Sequence, residues 1–179
     1  MTQPSILIAG VGNIFMGDDA FGVEVVRRLS LRALPDGVRV RDFGIRGFDL
    51  GYALMEDQDL TILVDATPRG GEPGTIYTIE PDLSELETAP VDQMAVETHG
   101  MNPMKVLAMV KSMGGDFKRL LLVGCEPATL GPEEGLMGLS EPVEAAVDEA
   151  VAVVESLVAR IIDEHRATAA KTIAEVATN

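Results

Sequence analysis

The chain has 179 residues, of which 46% are hydrophobic, 4% aromatic and none Trp, enough for one domain whose core is built from Ala, Val, Leu, Ile and Met. A formal net charge of −15 argues against a nucleic-acid backbone or an anionic membrane surface as partner, because long-range repulsion opposes both encounters. The single cysteine, Cys125, excludes an internal disulfide, and Met1-Thr2-Gln3-Pro4-Ser5 lacks the basic and apolar regions of a secretory leader, so the cytoplasm is the expected compartment.

The first apolar run, at Ser5–Gly10, reads as a strand. It leads into Gly10-Val11-Gly12-Asn13-Ile14-Phe15-Met16-Gly17-Asp18-Asp19, a glycine-rich turn followed by two adjacent aspartates where a helical pattern begins. Ala20–Leu34 is expected to be that helix, with Val23, Val26, Leu29 and Ala33 on its buried face and Pro35-Asp36-Gly37 ending it. A second strand is expected at Val38–Phe43, a short helix at Phe48–Met55, and a third strand at Leu60–Asp65, whose unbroken apolar run suits burial on both faces.

Arg69-Gly70-Gly71-Glu72-Pro73-Gly74 is a turn cluster before a fourth strand at Thr75–Glu80. The link is too short for a helical crossover, so the fourth strand is expected antiparallel to the third and at an edge. Pro81–Glu97 is acidic and aperiodic and reads as a surface loop. A helix is expected at Asn102–Met113, a fifth strand at Arg119–Cys125, and a long loop at Pro127–Leu139. The last helix carries Val143, Val147, Val151, Val154, Val158 and Ile161 as its apolar stripe, too interrupted by charge to span a membrane. The alternation predicts a three-layer α/β/α fold: a mostly parallel five-stranded twisted sheet with one antiparallel edge strand, forming a single domain over residues 1–165 and a frayed tail over 166–179.

In such a sheet the C-terminal ends of the parallel strands share one edge, and ligands bind there where the strand order switches. That rule gathers Asp18, Asp19, Asp42, Asp65 and Glu126 at one edge, with His99 in a loop able to reach it. A dinucleotide site is the obvious alternative for the opening loop. It is disfavoured because Phe15 stands where the third glycine belongs, and because Asp18 and Asp19 would repel a pyrophosphate at that helix start. No Gly-Lys-Ser/Thr follows either, so no nucleotide cofactor is expected. A cation suits the edge better: Asp19, Asp65 and His99 offer two oxygens and one imidazole nitrogen, a set that fits a borderline divalent transition metal with open positions.

Gly10-Val11-Gly12-Asn13 with Gly17-Asp18-Asp19-Ala20-Phe21-Gly22, then Val64-Asp65-Ala66 and the His99 segment, resembles the hydrogenase maturation endopeptidases. The resemblance runs from Ile6 to about Val158. It implies an endopeptidase that trims a C-terminal extension from the large-subunit precursor of a nickel–iron hydrogenase, with Asp19, Asp65 and His99 as the catalytic, metal-binding positions. The nickel would be carried by the substrate, the partner would be the precursor, and the enzyme is expected to be a monomer. Ile45 stands where the family often has Thr after the second strand, a departure that bears on which precursor is recognised.

Plainer readings stand beside these. Asp18 is read as the cap of the first helix and Asp19 as the ligand. Asp65 taken alone reads first as a turn former, and only beside Asp19 and His99 equally as a ligand; His99 alone reads as a cap or core histidine. Cys125, ending an apolar strand, reads as a small buried residue with a raised pKa rather than a nucleophile. Met101, Met104, Met109 and Met113 read as packing residues. A non-catalytic metal-binding assembly factor for the precursor is the main alternative function, and a nucleotide-binding oxidoreductase domain ranks third.

Overall fold

A computed structural model describes residues 3–82, 103–116, 118–132 and 134–176, with side chains through 171. Five strands and four helices follow in chain order: β1 (Ile6–Val11), α1 (Phe21–Leu29), β2 (Val38–Gly44), α2 (Gly47–Leu54), β3 (Leu60–Ala66), β4 (Ile76–Ile79), α3 (Pro103–Ser112), β5 (Leu120–Cys125) and α4 (Glu141–Val176). A 3-10 turn at Gly17–Ala20 leads directly into α1. The strands form one sheet in the order β2-β1-β3-β5-β4.

All pairings are parallel except β4 with β5. The fourth strand is therefore an antiparallel edge strand as expected, but its neighbour is β5 rather than β3. The short link from β3 forbids a helical crossover without requiring adjacency, and β5 inserts between them with its apolar run buried on both faces.

Period-two alternation divides the strands between two cores. Ile6 and Ile8 of β1, Ile62 and Val64 of β3, and Leu121 and Val123 of β5 join α1 and α4 in the larger core. Leu7, Ala9, Val11, Leu63 and Leu120 point the other way, under α2 and α3. The result is the expected three-layer α/β/α arrangement.

Two helices differ from expectation. The buried face of α1 is Phe21, Gly22, Val25, Val26 and Leu29, a stripe rotated from the predicted one, and Ala33 is exposed beyond the helix end. The helix stops at Leu29, where the Ser30 hydroxyl donates to the Arg27 carbonyl at 2.7 Å and competes with continued helical bonding. At the other end of the chain, α4 carries the full predicted stripe in the core. It then continues to Val176, through the stretch from Arg166 that was expected to be frayed; exposed Ala and Lys there keep good helix propensity after the apolar face has run out. Among the described residues, no helix is long and apolar enough to cross a membrane.

The fold has one consequence for function. Strand order reverses between β1 and β3, since β1 is followed by β2 on one side while β3 lies on the other. The crevice beyond their C-terminal ends is where a ligand has room to enter. Gly22 sits beneath it: a Cβ there would lie 2.1 Å from the Val64 carbonyl oxygen and 2.3 Å from that of Val11. Only a glycine lets the first turn of α1 rest directly on both strands at the reversal.

Candidate active site

The loop between β1 and α1 is folded by Asn13. Its side-chain oxygen accepts the Phe15 amide at 3.0 Å, its carbonyl accepts the Met16 amide at 3.1 Å, and its own amide donates to Asp19 Oδ2 at 2.7 Å. Gly12 makes that closure possible. With φ at +137°, its missing Cβ leaves space for the Asp19 carbonyl oxygen, which would otherwise lie 1.7 Å away.

Asp19 and Asp65 line the same cleft, of about 380 Å³, together with Thr67, Pro68, Pro81, Met104, Leu107 and Leu130. Asp19 arrives from the 3-10 turn and Asp65 from the end of β3, so the reversal of strand order is what brings them together. Burial raises the Asp19 carboxyl above its ordinary value, against the lowering effect of the Asn13 amide. Asp65 is held well above the usual carboxylate range, first by burial and then by the neighbouring charge of Asp19, with the Ala66 amide opposing both. Among the described residues neither carboxyl has a Lys or Arg partner. Two oxygen donors meeting in a partly apolar cleft without a counter-cation is an arrangement that a divalent cation relieves.

The third predicted ligand, His99, lies outside the described residues, as do Met101 and most of the predicted acidic loop. Among the described residues no group of three His, Cys, Asp or Glu side chains gathers in a metal-binding arrangement.

Of the other carboxylates expected at this edge, Asp18 and Glu126 are committed elsewhere. Asp18 does not cap α1: no side chain caps either the 3-10 turn or the helix. Instead it is fully buried and accepts hydrogen bonds from the amides of Ala128, Thr129 and Ser140 and from the Ser140 hydroxyl. The 3-10 turn carries the chain past the usual cap position and turns Asp18 toward the segment between β5 and α4. Local sequence holds no signal for partners so distant in the chain.

Glu126 likewise holds a turn. It accepts from the Arg69 amide at 2.8 Å, the Gly70 amide at 3.1 Å and the Tyr77 hydroxyl at 2.9 Å. Burial would raise its carboxyl, but the Arg69 amide, Tyr77 and the amides of Gly71 and Gly70 together bring it below its ordinary value. Asp42 is exposed on β2. Cys125 is buried, and burial first, with the charge of Asp18 adding to it, pushes its thiol up to about 12; a thiol so hard to ionise is no nucleophile. Of the Met series, Met104 lines the cleft, Met109 packs on the smaller core and Met113 is exposed.

The cleft walls were not legible beforehand. Leu107 and Met104 come from α3 and Leu130 from the loop after β5, apolar residues with no chemistry to mark them. The hint in the sequence is the spacing of Gly131, Gly135 and Gly138, all of which adopt positive φ and hold the segment to a fixed path.

A family model described as hydrogenase maturation protease matches residues 23–157. The hydrogenase 2 maturation protease of Escherichia coli strain K12 is 34% identical over 148 residues, covering 82% of this chain and 85% of the relative. Among solved structures, the hydrogenase maturating endopeptidase HybD from E. coli aligns with a TM-score of 0.67 and 32% identity, covering 87% of this chain and 92% of its own. The NiFe hydrogenase maturation protease HycI from Thermococcus kodakarensis KOD1 aligns with a TM-score of 0.64 and 29% identity, covering 87% and 93%. The sheet and helix arrangement described above is the fold of these structures.

Proposed function

Because the chain belongs to the hydrogenase maturation protease family, we propose that it is the endopeptidase that removes the C-terminal extension of a nickel–iron hydrogenase large-subunit precursor after nickel insertion. Asp19, Asp65 and His99 meet the nickel that the substrate carries. The activity class, a peptidase of hydrogenase maturation, follows from the family; the substrate-borne metal, its three ligands and the C-terminal cut are our reading.

One observation carries it: the carboxyl groups of Asp19 and Asp65 converge on a cleft of about 380 Å³, with no cation beside them among the described residues. Carboxylate oxygens with an imidazole nitrogen suit a borderline divalent ion, and the open positions suit one already held by another protein. Nickel on the substrate then serves as the sign that insertion is complete. Asp19 and Asp65 bind and orient the loaded precursor, while the apolar wall of Met104, Leu107 and Leu130 shields the tail from water. A nucleophilic cysteine has no part in this, given the state of Cys125.

Coexpression with a hydrogenase large subunit, followed by mass spectrometry of that subunit, tests the reading. Loss of a C-terminal peptide is expected with the wild-type chain, and intact precursor with His99→Ala of preserved circular dichroism. Association without shortening would make the protein an assembly factor instead, and unchanged cleavage by His99→Ala would remove that residue from the site.

A further inference from the structure

Asp18 and Asp19 are neighbours in sequence with opposite employments. Asp19 turns to the Asn13 amide and the cleft. Asp18 turns to the chain between β5 and α4, accepting from Ala128 N at 2.8 Å, Thr129 N at 3.0 Å, Ser140 N at 2.6 Å and Ser140 Oγ at 2.9 Å. The backbone repeats the connection: Asp18 N donates to the Thr129 carbonyl at 3.0 Å, Gly17 N to Leu136 at 2.7 Å, and Leu136 N to Phe15 at 2.7 Å. Apart from one bridge between Met16 and Leu136, the described residues between β5 and α4 form no strand or helix. Asp18 therefore supplies the order that regular structure would otherwise provide. Leu130, next to the bound Thr129 amide, is a wall of the cleft that contains Asp19 and Asp65.

We propose that Asp18 is a positioning residue for substrate selection: it clamps the 128–140 segment to the catalytic loop and so sets where Leu130 meets the precursor's C-terminal peptide. This rests on the peptidase reading above. The burial of Asp18 is the main physical support. A carboxyl group with no exposure is expensive to bury unless its oxygens are satisfied, and here every donor comes from the one segment that carries the cleft wall. The junction itself is apolar on its outside: Phe15, whose carbonyl accepts the Leu136 amide, is 56% exposed and Met137 73% exposed, in keeping with a surface that a protein substrate covers.

A residue that merely stabilised the fold would not separate binding from turnover, so the kinetics decide. Nickel-loaded precursor is titrated with wild type, Asp18→Asn, Leu130→Ala and the double variant. Asp18→Asn is expected to raise KM by about tenfold, the scale of a weakened hydrogen bond to a charged group, while kcat changes by less than about twofold. Leu130→Ala is expected to cost less in the Asp18→Asn background than alone, because the wall is already displaced. A fall in kcat at constant KM, unchanged kinetics, or full additivity overturns the inference. Should Asp18→Asn fail to fold, Ser140→Ala removes only the hydroxyl donor and replaces it in the same cycle; the same coupling with Leu130→Ala supports the clamp, and its absence overturns it. A wild-type chain that leaves the precursor uncut sinks the peptidase reading and this inference together, whereas normal wild-type processing with uncoupled variants sinks this inference alone.

Discussion

At the scale of the residue, Asp65 is where stability and the proposed activity pull apart. Its carboxyl is held above the ordinary range by burial and by Asp19, so the folded chain binds this proton more tightly than the unfolded chain does. Its contribution to stability is thus lost as pH rises from the ordinary carboxylate range through the raised folded value. Asp65→Asn removes the ionisable group. The metal-free variant is expected to melt a few degrees above wild type at neutral pH, to show no gain at acid pH where the wild-type carboxyl is already neutral, and to leave the precursor uncut. Thermal unfolding followed at the two pH values, beside the processing assay, checks all three. The same proton competes with any cation at the site, so metal affinity is expected to fall as the solution is acidified.

Among elements, the join between β1, β3 and α1 carries the site, and Gly22 is its contact point. Gly22→Ala would press a methyl group against two backbone carbonyls, where neither strand can move without disturbing the sheet. A loss of about 3 kcal/mol is expected in denaturant unfolding, at the upper end for overpacking because the obstacle is backbone; a loss below about 0.5 kcal/mol would show that α1 is seated less tightly than described. This join was partly legible. The apolar runs with glycines and aspartates at their ends gave every strand within about a residue, and the pairing of Asp19 with Asp65 followed from the rule for parallel sheets. The long-range partners of β4 and Asp18 carry no local signal. A strand's neighbour and a carboxyl's hydrogen bonds depend on which segment arrives beside them, and β5 and the 128–140 segment come from far along the chain. The register of α1 differs for another reason: Val23 and Val25 are equally apolar, and only the 3-10 turn preceding the helix decides which of them faces inward.

For the molecule as a whole, the long helix α4 tests where the domain ends. Its buried positions stop at Ile162, and its described side chains after Arg166 are exposed apart from half-buried Ala169. Cutting the chain after Arg166 is expected to change unfolding free energy by less than about 0.5 kcal/mol and to leave precursor processing intact. A large loss would mean that the terminal turns of α4 belong to the domain. Charge at this scale is mostly laid on the outer surface: Arg28, on α1, reaches Glu24, Glu144 and Asp148, lacing the two helices of the larger core together in a network rather than a single exposed pair.

The division of the interior into two unequal cores has a mechanical corollary. Asp19 is anchored through α1 to the thick layer, whereas Met104 and Leu107 belong to α3 in the thin one, where Phe48, Tyr52, Met55 and Met113 stand partly open to solvent. Fewer buried contacts mean a lower cost of local opening. The cleft is therefore built like a vice with one fixed jaw and one compliant jaw. Amide hydrogen exchange is expected to be faster in α3 than in α1, which would let the apolar wall of the cleft adjust while the Asp19 carboxylate keeps its place.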